Sequence, residues 1–312
     1  MMVRALLTSA GVLLSGCLPS PGAVAGWADP SMPVRDGLLV WLDADALPRA
    51  FPAHGRNDIE DGTAVDLWPD GSGRANHFNQ LTARARPRFE LNLGRGSVVF
   101  DGAEDVLTAT GLAPPAEDLT VVVVFAPSTN QGGFRGVFAS GVSGKNDYTH
   151  GINLGQGGSP TPSFEVLNIE GAGSPGEENF LRGQRFPFGE FRRVAAVVEG
   201  DRVRAYVDGR PAGQRSRKRV PVGLEVGTIG SRYYSNSGAA PVTDGFFDGK
   251  IAEVLVFGRA LRRDEMDALD RYLEKKHGGR NGAAEHPGVR RVFLDPVDDP
   301  PAVKMFAPGF SP

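Results

Sequence analysis

The chain has few cysteines, no excess of positive charge and no long apolar run. Its single cysteine among 312 residues excludes an internal disulfide framework and a zinc site built on cysteines. The 34 basic and 37 acidic residues give a net charge of −3, whereas proteins dedicated to nucleic acids are usually basic. No stretch reaches the roughly 18 apolar residues of a membrane-spanning helix. The sequence therefore predicts a globular protein with no nucleic-acid partner.

The one cysteine, Cys17, ends a segment with the pattern of an export signal. Arg4 supplies the positive start, and the uncharged run Ala5–Leu14 covers only about 15 Å as a helix, half of a bilayer core. Leu14-Ser15-Gly16-Cys17 resembles a bacterial lipobox, in which cleavage leaves the cysteine as a lipidated N-terminus. The resemblance implies a signal peptide over 1–16 and a lipid anchor on Cys17. An ordinary signal peptide with an incidental cysteine is the alternative.

Proline-rich segments flank the body of the chain. Residues 17–35 contain four prolines with glycine and alanine between them, which predicts an extended tether. Six prolines return in 279–312, where Val289–Leu294 is a candidate edge strand. We therefore expect the folded domain to lie within 36–278.

Between these ends, short apolar runs alternate with turn residues. Leu119–Phe125 carries four consecutive valines, whose branched side chains favour a buried strand over a helix. Arg202–Val207 alternates apolar and polar residues after a turn at Glu199–Asp201, as expected of a hairpin. Many short strands predict an all-β sandwich. The strands are expected at Leu38–Leu42, Ser97–Phe100, Leu119–Phe125, Phe134–Ala139, Gly151–Leu154, Ser163–Ile169, Phe191–Val198, Arg202–Val207, Leu224–Ile229 and Lys250–Phe257.

One segment near the end of the body has helical periodicity. Met266, Leu269 and Leu273 recur at helical spacing, with charged residues at most other positions. Acidic residues begin this segment and basic residues end it, which matches the helix dipole, and Gly278 follows. The sequence therefore predicts a single C-terminal α-helix.

Several turn and strand motifs resemble those of bacterial LamG-like, concanavalin A-like jelly-roll domains. They are the first strand Gly37–Asp45, the W-x-D-x-S-G turn Trp68–Gly73, the F-D-G turn Val99–Gly102, and the closing strand Phe247–Phe257 with Arg259-Ala260-Leu261. The resemblance implies one two-sheet antiparallel jelly-roll sandwich over residues 36–278. The helix departs from the family at Arg262, where Ser is common, so only Glu265 of the capping box remains.

The family includes laminarinase-like glycoside hydrolases, which carry an E-x-D-x-x-E strand. The nearest segment is Glu165–Glu170, with Leu167 in place of the central Asp. With a β-bulge, the two glutamates face the same way, as a retaining pair about 5–5.5 Å apart requires. Without the bulge, their odd separation places them on opposite faces, as one exposed and one turn glutamate. The sequence lacks H-E-x-x-H, G-x-S-x-G and Walker motifs.

Related sandwiches hold calcium at the rim, so Ca²⁺ is the one cofactor that the resemblance suggests. Ca²⁺ prefers six to eight oxygen ligands, which clustered loops supply. The candidate ligands lie beside glycine turns or strand ends and are Asp70, Asp101, Asp105 and Asp248. Aspartate also favours such turns for its own local hydrogen bonds, so these positions predict either a metal site or plain turns.

Two polar loops carry the aromatic and amide side chains that a sugar-binding face needs. Tyrosine combines an apolar ring with a polar tip, a combination suited to sugar rings and also to anchoring a loop. The candidate ligand-binding residues are Asn146, Tyr148, Tyr233, Tyr234 and Asn236. The basic run Arg215–Arg219 is interpreted as a solvated loop between strands, with an anionic-polymer site as the alternative.

These features together predict a non-catalytic binding or adhesion protein. A lipid on Cys17 would hold it in the bacterial cell envelope, outside the cytoplasm, and a loop rim would recognise a carbohydrate or an extracellular protein. The alternatives are a glycoside hydrolase that uses Glu165 and Glu170, and a structural spacer. Since one sandwich carries all of these functions, the fold alone does not choose among them.

Overall fold

The computed structural model describes residues 24–281. The predicted signal peptide, Cys17 and the candidate strand Val289–Leu294 lie outside the described residues. Numbered along the chain, the strands form two large antiparallel sheets and a small two-stranded ribbon. No helix among residues 24–281 has the length and apolar character needed to cross a membrane.

The first sheet, sheet A, has eight strands in the spatial order β13-β12-β11-β7-β17-β5-β4, with β1 paired to β17. Its strands are β1 (Leu38–Asp43), β4 (Arg88–Asn92), β5 (Arg95–Asp101), β7 (Leu119–Pro127), β11 (Arg192–Glu199), β12 (Arg202–Val207), β13 (Arg210–Ser216) and β17 (Asp248–Phe257).

The second sheet, sheet B, has the order β10-β9-β8-β14-β6-β3-β2. Its strands are β2 (Leu67–Trp68), β3 (Phe78–Asn79), β6 (Leu107–Thr110), β8 (Gly136–Gly141), β9 (Ile152–Gly155), β10 (Asn168–Gly171) and β14 (Val226–Ile229). The ribbon consists of β15 (Arg232–Tyr234) and β16 (Val242–Asp244), and three helices complete the fold: α1 (Leu47–Ala53), α2 (Asp147–His150) and α3 (Arg263–His277). The two-sheet sandwich with one long C-terminal helix confirms the predicted fold class.

Sheet A is buried on both faces, which explains the valine run of β7. Val121, Val123 and Phe125 point into the core between the two sheets. Val122 and Val124 point the other way, into a second apolar cluster beneath α3. A strand covered on both sides needs apolar residues at every position, so the alternation of a half-exposed strand is absent.

The segment before β1 is part of this second cluster, which corrects the prediction of a tether through residue 35. Ala28, Met32 and Val34 are buried beside Trp41 and the apolar face of α3. The Ala25 N–H also donates to the carbonyl of Gly71 at 3.0 Å. Without this segment, the outer face of sheet A would expose apolar surface, and covering it is favourable.

A buried ionic cluster fastens α3 to sheet A. The Glu253 carboxylate of β17 accepts hydrogen bonds from Trp41 Nε1 at 2.7 Å and Lys276 Nζ at 2.8 Å, and it contacts His277 Nε2 at 2.6 Å. Lys276 Nζ lies 2.7 Å from Asp43 Oδ2. We call Asp43, Glu253, Lys276 and His277 the helix cluster. All four side chains are largely or wholly buried, so this cluster stabilises the packing of α3 on sheet A and is inaccessible to a ligand.

The charges of the helix cluster follow from its contacts. Burial disfavours the ionised form of Glu253, but Lys276 and the His277 hydrogen bond lower its pKa to about 2. Burial and the neighbouring Glu253 charge raise the pKa of Asp43 to about 7. Burial lowers the pKa of His277, and Arg280 Nε donates to His277 Nδ1 at 2.8 Å. His277 is therefore neutral and carries its proton on Nε2, toward Glu253.

The start of α3 retains half of a capping box, as predicted. The Glu265 carboxylate accepts the N–H of Arg262 at 2.9 Å and both terminal nitrogens of Arg259 at 2.8 Å. These contacts lower the pKa of Glu265, the Arg259 hydrogen bond being the largest cause. The ion pair with Arg259 thus stabilises a helix start that lacks the usual serine.

Two of the predicted strands that border the pocket begin later in the chain than expected. The strand predicted from Phe134 begins at Gly136, because Phe134 has φ +57°, a left-handed conformation that no strand contains. The strand predicted from Ser163 begins at Asn168. The Asn179 side chain accepts the N–H of Leu167 and donates to the carbonyl of Glu165, so it replaces a strand partner there.

Candidate functional site

A pocket of about 170 Å³ opens on the outer face of sheet B. Ile152, Leu154 and Ile169 point into the core, so the alternation of β9 and β10 directs Asn153 and Glu170 outward. The loop carrying α2 and the ribbon β15–β16 stand over this face and form the walls. The lining residues are Phe134, Tyr148, Glu170, Gly176, Glu177, Arg232, Tyr234 and Asn236.

The floor of the pocket is a buried ionic triad, which we call the pocket cluster: Asp147, Glu170 and Arg232. Arg232 donates to Asp147 through Nη2 at 2.6 Å and Nε at 3.2 Å, and to Glu170 through Nη1 at 2.7 Å. Burial opposes the charge of Arg232, yet the hydrogen bonds and charges of the two carboxylates raise its pKa. Burial also raises the pKa of Asp147, but a bidentate bond to an always-charged guanidinium keeps this carboxyl ionised at neutral pH.

Three aromatic rings surround the guanidinium of this triad. Arg232 Cζ lies 4.7 Å from the ring centroid of Tyr234 and 5.7 Å from those of Tyr148 and Phe134, within the range of cation–π attraction. Phe134 occupies this position with φ +57°, a conformation that costs a non-glycine residue about 1 kcal/mol or more. The fold thus places the Phe134 ring at the pocket wall although the backbone conformation of this residue is locally unfavourable.

Four of the five predicted ligand-binding residues come together at this pocket. Asn146 Nδ2 donates to Tyr148 Oη at 2.8 Å and to the carbonyl of Ser235 at 3.1 Å, which joins the α2 loop to the end of β15. Tyr234 and Asn236 line the pocket, as does Tyr148. Tyr233 is turned away from it, and its hydroxyl accepts the N–H of Gly144. Asn146 therefore positions the wall, whereas Tyr148, Tyr234 and Asn236 form it.

A buried amide lies behind the pocket floor. Asn153 is fully buried and stands directly across the β9–β10 pair from Glu170. Neither its Oδ1 nor its Nδ2 has a protein hydrogen-bond partner. Buried polar groups are nearly always hydrogen-bonded, so this amide is suited to a small polar partner such as water. The floor is thus polar below the triad as well as at its surface.

The two glutamates of the hydrolase alternative have separate environments. Glu170 is a buried strand residue, not the turn residue of one interpretation, and it accepts Asn168 Nδ2 and the N–H of Gly176 in addition to Arg232. Glu165 precedes the strand and pairs with Arg185 Nε at 2.8 Å. Glu170 lines the pocket, and Glu165 is absent from its lining.

The four candidate calcium ligands are engaged in local hydrogen bonds. Asp70 is buried and accepts the N–H groups of Trp41 and Ser72. Asp101 Oδ1 accepts three backbone N–H groups of its own turn. Burial and the charge of Asp101 raise the pKa of Asp105 to about 6.

Asp248 is the register partner of Asp101 and accepts a hydrogen bond from Thr129 Oγ1 at 2.6 Å. Within residues 24–281, no three His, Cys, Asp or Glu side chains form a group that would hold a metal ion. Calcium binding stays a prediction, and the melting temperature measured with and without EDTA tests it.

The basic run is not the solvated loop that the sequence predicts. Arg217 is buried, and its guanidinium donates to the carbonyls of Ala172, Gly200 and Val220. Arg215 donates to the carbonyl of Gly176 at 2.8 Å. These two arginines bind backbone oxygens, so half of the run's charge is committed to the fold, whereas Lys218 and Arg219 are exposed.

Sequence reasoning missed half of the pocket. The sequence predicts neither Phe134 and Glu177 in the lining nor Asp147 and Arg232 in an ionic cluster. The tyrosine pair beside Arg232 was a signal for the site, but a buried arginine needs carboxylate partners, and here they come from 62 and 85 residues away. A single sequence does not show such pairings.

Two large antiparallel sheets define a β-sandwich, and its pocket lies on the outer face of sheet B. The family model of the concanavalin A-like lectin/glucanases superfamily matches residues 100–266, just over half of the chain. The chain belongs to this superfamily. No curated protein sequence matches it.

Solved structures with similar folds share little sequence with this chain. A sialidase from Trypanosoma rangeli is 13% identical with a TM-score of 0.50, over 78% of this chain and 34% of the sialidase chain. This chain therefore spans about a third of the sialidase's length, and at this identity the likeness concerns the fold alone.

Two further structures cover similar shares of this chain. Domain 4 of AbnA, a GH43 extracellular arabinanase from Geobacillus stearothermophilus solved with arabinotriose, is 13% identical with a TM-score of 0.46, over 75% of this chain and 98% of that domain. The binding domain of Paraclostridial Mosquitocidal Protein 1 is 11% identical with a TM-score of 0.47, over 76% of this chain and 52% of that chain.

Proposed function

We propose that this domain binds carbohydrate, and that the pocket on sheet B holds one sugar unit of a glycan. The observation that carries the proposal is the convergence of Tyr148, Tyr234 and Phe134 on a buried ionic floor at the mouth of a pocket. A concave site with apolar walls and a few fixed polar groups is the usual form of a small-ligand site.

The lining matches the two kinds of surface that a sugar presents. Ring faces of Tyr148 and Tyr234 suit the C–H groups of a pyranose, and the Tyr148 hydroxyl, which accepts a hydrogen bond from Asn146, can still donate its own proton. The Asn236 amide and the Glu177 carboxylate lie at the exposed part of the pocket and suit sugar hydroxyls. The pocket cluster fixes the floor, so little ordering is required when the ligand binds.

A glycan array probed with residues 18–312 tests the proposal, and neighbouring tyrosines supply a matched pair of variants. Tyr234→Ala removes a wall of the pocket, and we expect affinity for the array-selected glycan to fall at least tenfold. Tyr233→Ala removes a ring that faces away, and we expect a change below twofold. Both variants should retain the wild-type melting temperature within a few degrees. Equal losses in the two variants, or no glycan bound by the wild type, would overturn the proposal.

The same preparation distinguishes binding from hydrolysis. The hydrolase alternative requires turnover of a glycan, and Glu170→Gln and Glu165→Gln would abolish it. We expect no turnover, because Glu170 is held in three hydrogen bonds at the pocket floor. Turnover that is lost in either variant would replace the binding proposal with catalysis.

We propose further that the domain is tethered to the envelope by lipid on Cys17. The support is the lipobox-like sequence, which lies outside the described residues. Metabolic labelling with a fatty acid should mark the wild type and leave Cys17→Ala unlabelled. Equal labelling of the two proteins would refute the anchor and leave the binding proposal intact.

A further inference from the structure

We infer that the pocket accepts uncharged sugars and excludes sugars that carry a carboxylate, such as sialic or uronic acids. The inference rests on the proposed function and names the ligand class of the same pocket. The observation behind it is that the one guanidinium in the pocket is already occupied by the protein's own carboxylates.

Proteins hold carboxylated ligands most strongly by a bidentate pair with arginine. In this pocket, Asp147 takes the bidentate position on Arg232, through Nε and Nη2. Glu170 takes Nη1. The Arg232 side chain is only 2% exposed, so a sugar carboxylate could reach the charged group only by displacing a buried carboxylate, which would leave a buried charge without its partner. The arginine therefore shapes the floor and is poorly accessible to an anionic ligand.

The charge balance of the pocket opposes an anion as well. Two carboxylates and one guanidinium give the pocket cluster a net negative charge, and the exposed Glu177 adds another at the rim. Asp244 lies on the strand paired with that of Tyr234. Burial raises the pKa of the Tyr234 hydroxyl and the charge of Asp244 raises it further, while the charges of Arg232 and Arg135 lower it. The exposed Glu177 carboxylate is the like charge that an incoming carboxylate meets first.

The groups that remain for a ligand suit neutral hydroxyls. Ionised carboxylates are acceptors only, so Glu177 pairs with the O–H donors of an uncharged sugar. The Asn236 amide both donates and accepts, and the tyrosine rings offer apolar faces. A neutral sugar thus satisfies the pocket without placing like charges together.

Matched glycan pairs that differ by one carboxylate test the inference. A galactoside is compared with the corresponding galacturonide, and a glucoside is compared with the corresponding glucuronide, on the full mature chain. We expect the neutral member of each bound pair to bind at least tenfold more tightly at 50 mM salt, because one unfavourable contact between like charges reaches that size near a protein surface. The preference should shrink at 500 mM salt.

Charge variants locate the cause. Glu177→Gln keeps an oxygen that can accept the N–H of Gly158 and removes one negative charge from the rim. We expect it to raise the affinity for the acidic member relative to the neutral member about threefold to tenfold, because the acidic member loses a like charge while the neutral member loses only a charged acceptor. Glu60→Gln is the control, since Glu60 is exposed on the loop that pairs with the edge strand of sheet A. It changes the net charge equally and should alter neither affinity.

The outcomes separate the two claims. Absence of binding to every glycan would overturn the proposed function and the inference with it. Binding in which the acidic member is equal to or tighter than the neutral one would overturn the inference alone. An unchanged preference in Glu177→Gln, or the same change in Glu60→Gln, would also contradict the electrostatic cause.

Discussion

Two of the buried ionic clusters within residues 24–281, one behind each sheet, differ in what covers them. The helix cluster lies between sheet A and α3, where Glu253 is closed off on every side. The pocket cluster lies on sheet B beneath half-buried aromatic rings, and Glu170 and Arg232 line an open pocket. The same chemistry therefore serves the fold in one place and shapes a binding surface in the other. Access to solvent, rather than the presence of buried charge, marks the functional site.

The largest loss of stability should come from disruption of the helix cluster. Glu253→Gln removes the carboxylate shared by Trp41, Lys276 and His277, and we expect a loss of about 3–5 kcal/mol in the free energy of unfolding, because a buried cation loses its partner. Affinity for glycan should stay within twofold. Urea denaturation measures the loss, with Glu104→Gln, from an exposed pair with Arg84, as the control. A change below 1 kcal/mol would mean that α3 does not depend on this cluster.

Disruption of the pocket cluster should lower both the stability of the fold and the affinity for glycan. Arg232→Met leaves Asp147 and Glu170 without their cation, and we expect a stability loss of about 3 kcal/mol, since the pocket admits water to the freed carboxylates. Glycan binding should fall more than tenfold, because the aromatic walls lose the group they pack on. Urea denaturation and the array measure the two effects. Full binding in Arg232→Met would show that the triad has no part in the site.

The pH dependence of stability should come mainly from the helix cluster. Asp43 has a pKa of about 7 in the folded protein, above its value of about 3.8 when unfolded. Its protonated carboxyl therefore stabilises the folded state fully below pH 4, and this stabilisation is lost as pH rises from 4 through 7. The ionised carboxylate of Glu253, with a pKa of about 2, stabilises the folded state fully above pH 4.5, and this stabilisation is lost as pH falls from 4.5 through 2. We expect maximal stability near pH 4. In Asp43→Asn the loss of stability between pH 4 and 7 should become smaller, as melting curves across this range will show; an unchanged slope would contradict the assignment.

The smallest effect on stability is expected at the strained wall of the pocket. Phe134→Gly relieves a left-handed conformation and removes one aromatic ring, so the change in unfolding free energy should stay within about 1 kcal/mol. Affinity for glycan should nevertheless fall severalfold. Melting temperature and glycan titration measure the two properties. Loss of stability without loss of binding would show that Phe134 serves the fold only.

The sequence was sufficient for the sandwich and for part of the site. The valine run of Leu119–Phe125 and the periodicity of Met266, Leu269 and Leu273 are local signals, and the elements they predict are present. The loop residues Tyr148, Tyr234 and Asn236 were found because polar aromatic loops are conspicuous. Both ionic clusters were missed, since their partners come from distant strands and helices and no local pattern marks them.

Two local errors have a common cause. The strands predicted from Phe134 and Ser163 were placed too early, because apolar residues there serve the pocket wall and the core without joining a sheet. A left-handed turn at Phe134 and the Asn179 side chain end the strand pairing. Apolar runs predict burial well, but hydrogen-bond partners decide whether a buried run is a strand.

A crystal structure of the full mature chain with the neutral glycan selected by the array tests the central claim most directly. We expect a sugar ring between Tyr148 and Tyr234, above Arg232, with its hydroxyls on Asn236 and Glu177 and the pocket cluster unchanged. A glycan bound at any other surface, or one that displaces Asp147 or Glu170 from Arg232, would contradict the account.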